Sequence, residues 1–342
     1  MRSLNIFALI TRFASRRSLF IEVIVLAAGF GLLSLFMGGK IYWITDFMIF
    51  CILVLSYDLL YGYMGHLSFG HMLYYGTGAY AAGMWISYIN TNPLMALFFG
   101  LLVSAVLAGL AGLICIRASG ASFALLNMAF NEIGFFVIRS ILKDYTHGDD
   151  GMICSVGALF GRLDLNQTWT AFIFVLVFLL GVFCLLKLLT RSPYGIMIRS
   201  IKEDETRVRF LGYFPGFYKW VTFVIASTLA GLAGTLFCLI QGFISPGVIS
   251  PFGNVDVIFA VLIGGAGCLY GAIVGGVAFM LIKNYLPLLI IGAGKILPFP
   301  IPQWELWLGM VLLIIVFIWR QGIVGFFRYK INNRAEGEKT AC

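Results

Sequence analysis

Apolar residues run along this 342-residue chain in blocks, and polar residues gather between them. The blocks are near the roughly 20 residues a helix needs to cross hydrocarbon. The pattern predicts spans at 20–37, 47–61, 68–89, 94–116, 122–138, 169–189, 221–241, 256–267, 269–291 and 304–319. None of these blocks alternates with the period of a barrel strand, so helices are the spanning element. The predicted fold class is all-α: a polytopic integral membrane protein, read as one transmembrane domain over 1–342. Composition agrees, because 11% charged residues is well under the roughly 25% of a soluble domain.

One polar island interrupts this pattern. Residues 190–219 read TRSPYGIMIRSIKEDETRVRFLGYFPGFYK and hold six of the 23 Lys and Arg residues. Within it, Ile196 to Glu205 predicts a short amphipathic helix closed by Leu211-Gly212. Such a helix fits the headgroup layer of a membrane or a groove on a soluble partner. Ile198 and Ile201 lie three apart and suit a groove, with Arg199, Glu203 and Asp204 placed for its rim.

The net charge of +8 does not point to nucleic acid, because the basic residues cluster in alternate loops, where they set membrane orientation. Seventeen of them fall in 1–18, at Arg117, in the segment from Lys187 to Lys219, and in 320–342; five fall on the other side, at Lys40, Arg139, Lys143, Arg162 and Lys295. This asymmetry predicts cytoplasmic termini, a cytoplasmic loop at 190–219, and an outer segment at 143–166. That outer segment reads either as a solvated turn or as a surface for a soluble partner. The basic N-terminus lacks a small-residue cleavage site and reads as retained membrane sequence.

Glycine clusters twice, at Gly62–Gly83 and Gly264–Gly276. Both clusters suit close helix packing. Each also falls between short apolar segments in one half of the chain, the mark of broken helices in a transporter. That reading puts His66, Ser68, Gly70, Gly76, Gly78, Gly264, Gly265 and Gly267 on a translocation pathway, with Asn131. Asn127 and Asn131 share one helical face at i, i+4, as either a helix-to-helix hydrogen bond or a pathway lining. Glu22, Asp58, Glu132, Asp256 and Lys283 are the other polar residues within or near predicted spans.

No catalytic set is visible. The chain has three His, and His66 and His71 are five apart, which does not stack them on a helix. Nucleotide-binding, nucleophile-elbow and zinc-protease motifs are absent from the sequence, and the seven scattered Cys include no Cys-x-x-Cys. The expectation is no catalytic residue, no metal and no cofactor of its own.

The motifs resemble a family. SPYGIMIRSIKEDETRVRFLG and the Ala230-Gly231-Leu232-Ala233-Gly234 run that follows it are similar to permease subunits of bacterial ATP-binding cassette importers for branched-chain amino acids, of the M-type. Gly65, Ser68, Gly70, Gly76, Gly78, Ala79 and Tyr80 resemble that family's first glycine signature. Phe243 to Pro246 with Gly264, Gly265, Gly267 and Gly271 resemble its second, and Gly148-Asp149-Asp150-Gly151-Met152 resembles its outer motif. The likeness covers about 47–286; His66, Thr206-Arg207-Val208 and Asp256 depart from the usual residues.

The resemblance implies a coupling helix docked on an ATPase through Ile198, Arg199, Ile201, Glu203, Asp204 and Gly212. It also implies a second homologous permease as heterodimer partner, two cytosolic ATPase subunits that use the ATP and Mg, and an extracytoplasmic substrate-binding protein. The setting would be a bacterial inner membrane and the substrate a branched-chain amino acid, Leu, Ile or Val. Permeases of this type for urea or short amides are one alternative. A self-contained secondary transporter or channel is the other.

Overall fold

The computed structural model describes residues 21–34, 40–158 and 164–294, with scattered positions between 306 and 325. The expected basic N-terminus at 1–18 lies outside the described residues, and the expected span 304–319 and tail 320–342 meet them only at those scattered positions.

The protein is an all-α membrane bundle. Its elements are α1 (Ile21–Ser34), α2 (Ile41–Tyr63, ending in a π turn from Leu59), α3 (His71–Tyr88), α4 (Pro93–Cys115) and α5 (Ala121–Ile141, ending in a π turn from Val137). There follow α6 (Lys143–Thr146), α7 (Thr168–Arg191), α8 (Pro193–Glu203), α9 (Glu205–Phe210), α10 (Pro215–Gln241), α11 (Phe252–Gly264) and α12 (Leu269–Gly294). Among the described residues, six of these stretches are long and apolar enough to cross a membrane: α2, α4, α5, α7, α10 and the Leu269–Pro287 part of α12.

Local signals set the helix starts. Asn92 caps α4 by accepting from the Leu94 N–H at 3.0 Å, and Ser192 caps α8 by accepting from Gly195 N–H at 3.4 Å. Pro occupies the first turn of α4, α8 and α10, where no intrahelical donor is lost. Gly242, at φ 63°, ends α10 in the left-handed conformation that glycine adopts without strain.

Two expected spans are shorter than the hydropathy suggests. The span expected from residue 68 begins at His71, because the chain from Gly65 to Gly70 is unwound. The span expected at 256–267 is the 13-residue helix α11, about 20 Å long at 1.5 Å per residue and too short to cross alone. The chain reaches it through Phe243–Pro251, a stretch of one short strand and a single 3-10 turn. The break in this half of the chain therefore precedes α11, whereas the second glycine cluster forms the tight α11–α12 turn. Gly265 (φ 107°) and Gly267 (φ 81°) make that turn. A side chain on Gly264 would meet the Gly271 carbonyl, and one on Gly275 would meet that of Ala260.

The densest packing lies between α3, α4 and α10. Gly78 of α3 sits on the backbone of Gly231, and Gly234 sits on the carbonyl of Tyr75. Thr235 Oγ1 donates to the Gly78 carbonyl at 3.2 Å. Close backbone approach of this kind replaces the hydrophobic drive that is weak between helices in lipid. Gly78 is thus a packing residue inside the subunit, away from the helix break where the sequence reading put it.

At the far end of the bundle, Met152–Ile153 pairs antiparallel with Phe243–Ile244. The 143–166 segment is therefore built, at least in part, onto the start of the unwound stretch. Arg139 and Asp149 pair at 2.7 Å on its surface.

Gly78→Ala tests the packing. Its Cβ would lie 2.7 Å from the Gly231 carbonyl carbon, an overlap expected to cost about 1–3 kcal/mol or more and to lower the melting temperature and membrane abundance. Gly181→Ala on α7, with nothing within 4 Å of its Cβ, should be neutral or slightly stabilising. Equal behaviour of the two variants in a detergent thermal melt would refute the packing account.

Candidate functional site

Unwound chain inside a bilayer carries peptide groups that need partners. Here three asparagines cluster at the two unwound stretches. Asn131 of α5 donates through Nδ2 to the Ile249 carbonyl at 2.8 Å. Asn254, in the first turn of α11, accepts from the Met72 N–H at 2.9 Å and donates to Asn131 Oδ1 at 3.4 Å. Asn127 donates to the Phe123 carbonyl at 2.9 Å, while its buried Oδ1 has no partner among the described residues. All three side chains are fully buried.

Small residues let these pieces meet. A Cβ on Gly70 would lie 2.8 Å from the Asn127 carbonyl carbon, and one on Gly76 would lie 2.6 Å from the Ile249 Cβ. Ser68 is fully buried; its N–H donates to the Tyr57 hydroxyl and its Oγ accepts from the Gly70 N–H, each at 3.3 Å. His71 Nε2 meets Ser56 Oγ at 2.9 Å, and its ring packs edge-on against Tyr57 and Tyr74. The structure thus brings Ser68, Gly70, Gly76 and Asn131 into one buried junction. It leaves His66 outside, at the polar-loop end, with its ring edge-on to Phe123.

Glu132, next to Asn131, points the other way. It is exposed near the middle of the α5 span and has no ion-pair partner among the described residues. Lys283 of α12, by contrast, pairs with Asp256 of α11 at 2.6 Å.

Gly264, Gly265 and Gly267 lie at the polar-loop end of the bundle, apart from the junction. There Asp58 Oδ1 accepts from the Gly267 N–H at 2.7 Å, and Lys202 Nζ of α8 donates to the Gly62 carbonyl at 2.7 Å. These bonds tie α8 to α2, and α2 to the α11–α12 turn.

The polar loop itself folds as α8 and α9. Ser192 and Asp204 cap the two helices, the second through Asp204 Oδ1 accepting from Arg207 N–H at 3.0 Å. Arg199 lies over the Tyr63 ring at 4.9 Å. Ile198 is 0% and Ile201 4% exposed, both turned into the bundle. This corrects the sequence reading, which gave these two residues to an external groove. The reason is that the apolar stripe of α8 is taken up by the protein's own core. Arg199, Glu203, Asp204 and Gly212 remain on the surface. Beside them stand residues that the sequence reading passed over, Phe210 at 87% and Phe214 at 81% exposure.

Glu205 of α9 forms an ion pair with Lys219, whose side chain is almost fully buried at the start of α10. Partial burial acts to raise the Glu205 pKa, but the hydrogen bond and charge of Lys219, with Arg209, bring it below the usual carboxylate value. Asn254 and Ile249 escaped the sequence reading, which counted Lys219 only among the basic loop residues. Asn254 had a visible signal, as an amide opening an apolar run after a proline.

Unwound chain held by amides inside a helical bundle defines the class, a membrane transport permease. The family is equally plain. The chain belongs to the branched-chain amino acid transport system permease component family, whose profile matches residues 39–319. It is similar to the high-affinity branched-chain amino acid transport system permease protein LivM of Salmonella typhimurium, with 27% identity over 86% of this chain and 73% of that protein. The protein of the same name in Escherichia coli K12 is 26% identical over 85% of this chain and 72% of the relative. The corresponding permease protein BraD of Pseudomonas aeruginosa is 23% identical over 66% and 78%. No solved structure matches the chain.

The Glu205–Lys219 pair sets an acid limit. A depressed carboxylate pKa contributes stability above the unfolded value of about 4.3 and loses it as pH falls through the folded value. Thermal melts should be flat from neutral pH to about pH 5 and fall below it. Glu205→Gln should cost about 1 kcal/mol at neutral pH, discounted for its exposure, and flatten part of the acid limb. An unchanged acid limb in the variant would show that other carboxylates govern it.

Proposed function

We propose that this chain is a permease subunit of a heteromeric ATP-driven importer that carries a branched-chain amino acid, Leu, Ile or Val, through a bacterial inner membrane. Its assembly would comprise a second homologous permease, two cytosolic ATPase subunits and an extracytoplasmic binding protein. ATP and Mg would act on the ATPases, and this chain would form a single permease domain with both termini cytoplasmic.

The observation that carries the reading is the exposed, charged and aromatic surface of α8 and α9 beside a bundle broken at two places. With Ile198 and Ile201 buried, the docking surface for an ATPase is the outer face: Ile196, Glu203, Asp204 and the stretch Phe210–Phe214 with Gly212, while Arg199 turns from it toward the Tyr63 ring. The passage would run along the exposed face of α5. An unpaired mid-span carboxylate is costly against lipid, so Glu132 supports a face turned to the partner permease or an aqueous path. Ser68, Gly70, Gly76 and Asn131 then build the wall behind that path, and Gly78 packs it.

Two variants separate docking from folding. Burying a phenylalanine contributes about 1.5–3 kcal/mol, so Phe214→Asp should weaken ATPase copurification by roughly tenfold to a hundredfold. Leucine uptake should fall with it, while membrane abundance holds. Ile201→Asp should instead lower abundance, because it buries a charge in the bundle. Wild-type copurification and uptake with Phe214→Asp would overturn the docking surface.

Orientation has its own test. Single cysteines placed at 150 and at 204 should react with an impermeant thiol reagent in intact spheroplasts at 150 only, as the basic asymmetry requires. The reverse labelling would invert the protein and remove the ATPases from α8.

A further inference from the structure

A cavity of about 960 Å³ opens at the polar-loop end, between α7, α8 and the α11–α12 turn. Lys187, Arg191, Arg199 and Lys202 line it, against the single acid Glu203. Lys187 is neutralised by Glu22 and donates to the Tyr270 hydroxyl at 3.0 Å. The other three cations have no carboxylate within ion-pair distance among the described residues. Arg199 donates to the Thr190 carbonyl at 3.4 Å and stacks over the Tyr63 ring, and Lys202 donates to the Gly62 carbonyl. Arg191 is exposed, at the last turn of α7.

Three such cations around one space call for an anion, and the setting says which. The cavity lies where α7 ends and α12 begins, the depth of a headgroup layer. Phe183 and Leu269 form part of its wall. Within two helical turns of it, Leu185, Leu188 and Val274 are exposed, an apolar surface suited to acyl chains. A free phosphate would use the cations and leave that surface without purpose. Basic pockets between spanning helices are the usual receivers of lipid phosphates.

We propose that this cavity binds the phosphate of an anionic phospholipid, held by Arg191, Arg199 and Lys202 with its chains along α7 and α12. The site needs only the membrane setting and does not rest on the substrate assigned above. Because Arg199 and Lys202 belong to α8, a bound lipid would also fix the position of the helix proposed to meet the ATPase.

Native mass spectrometry of the full chain, purified in mild detergent with its accompanying subunits, tests this by titration with phosphatidylglycerol or phosphatidylcholine. The wild type should retain phosphatidylglycerol and not phosphatidylcholine. Arg191→Gln and Lys202→Gln should each weaken retention about fivefold. Lys202 also holds the Gly62 carbonyl, so that variant risks misfolding. Arg191→Gln alone, at an exposed helix end, keeps the test clean, and Arg191→Lys should restore most of the binding. Undiminished retention by Arg191→Gln, or equal retention of the two lipids, overturns the site. Displacement of the lipid by an equal concentration of inorganic phosphate overturns the choice of a lipid over a free anion. Leucine uptake by the wild type is a separate measurement, so the permease reading can fail while this one stands.

Discussion

The rest of this structure depends on one constraint: no peptide group can be left unpaired in hydrocarbon. Nine residues from Phe243 to Pro251 and six from Gly65 to Gly70 leave the regular helical ladder inside the bundle. Backbone turns pair part of them, and side chains meet others. Asn131 takes the Ile249 carbonyl, Asn254 takes the Met72 N–H in the first turn of α3 just beyond the second stretch, and the two amides meet each other. An amide suits this role because it donates and accepts at once. A carboxylate in the same place would carry a charge with no counterion.

Glycine supplies the other half of the solution. Chain can unwind here only if the neighbouring backbone comes near enough for short side chains to bridge it. Gly70 on Asn127 and Gly76 on Ile249 create that proximity. Elsewhere glycine works within regular helices, where Gly78 and Gly231 let α3 and α10 touch backbone to backbone. The same residue type therefore serves two ends, and spacing alone does not say which.

That ambiguity marks the limit of what could be read from the chain. The helical class, the amphipathic polar loop and the first break were legible, because hydropathy and helix caps are local properties. The second break was misplaced onto Gly264–Gly267, since those glycines stand out in the sequence while Phe243–Pro251 looks like ordinary apolar chain. Only the tertiary fold shows that Pro246 and Pro251 flank a stretch without a helical ladder. Ile198 and Ile201 were assigned to the wrong side for a related reason. Periodicity shows that a helix has an apolar face, but not whether that face meets the protein's own core or a partner. Lys219 was read only as one more basic loop residue, because a lysine at a helix start is ordinary; its burial against Glu205 is set by α9, brought there by the fold.

The burial of α8 bears on how such a protein would transmit force. A helix that merely rested on the membrane could shift without moving the bundle. Here Lys202 holds the Gly62 carbonyl at the end of α2, and Asp58, one turn earlier on α2, holds the Gly267 N–H. Gly267 belongs to the turn that closes α11, and the opposite end of α11 carries Asn254. Under the proposed docking, a displacement of α8 would reach the amide junction through two hydrogen bonds and one short rigid helix. Spatial continuity is not yet coupling, which requires a two-state element that both ends bias. The unwound stretch beside Asn254 is the natural element, because its Ile249 and Pro251 carbonyls are held by the side chains of Asn131 and Asn254, bonds that can exchange without breaking a helical ladder. At its far end the same stretch pairs with Met152–Ile153. One segment of irregular chain therefore joins the surface of the 143–166 region to the buried junction, and α11 joins that junction to the polar loop.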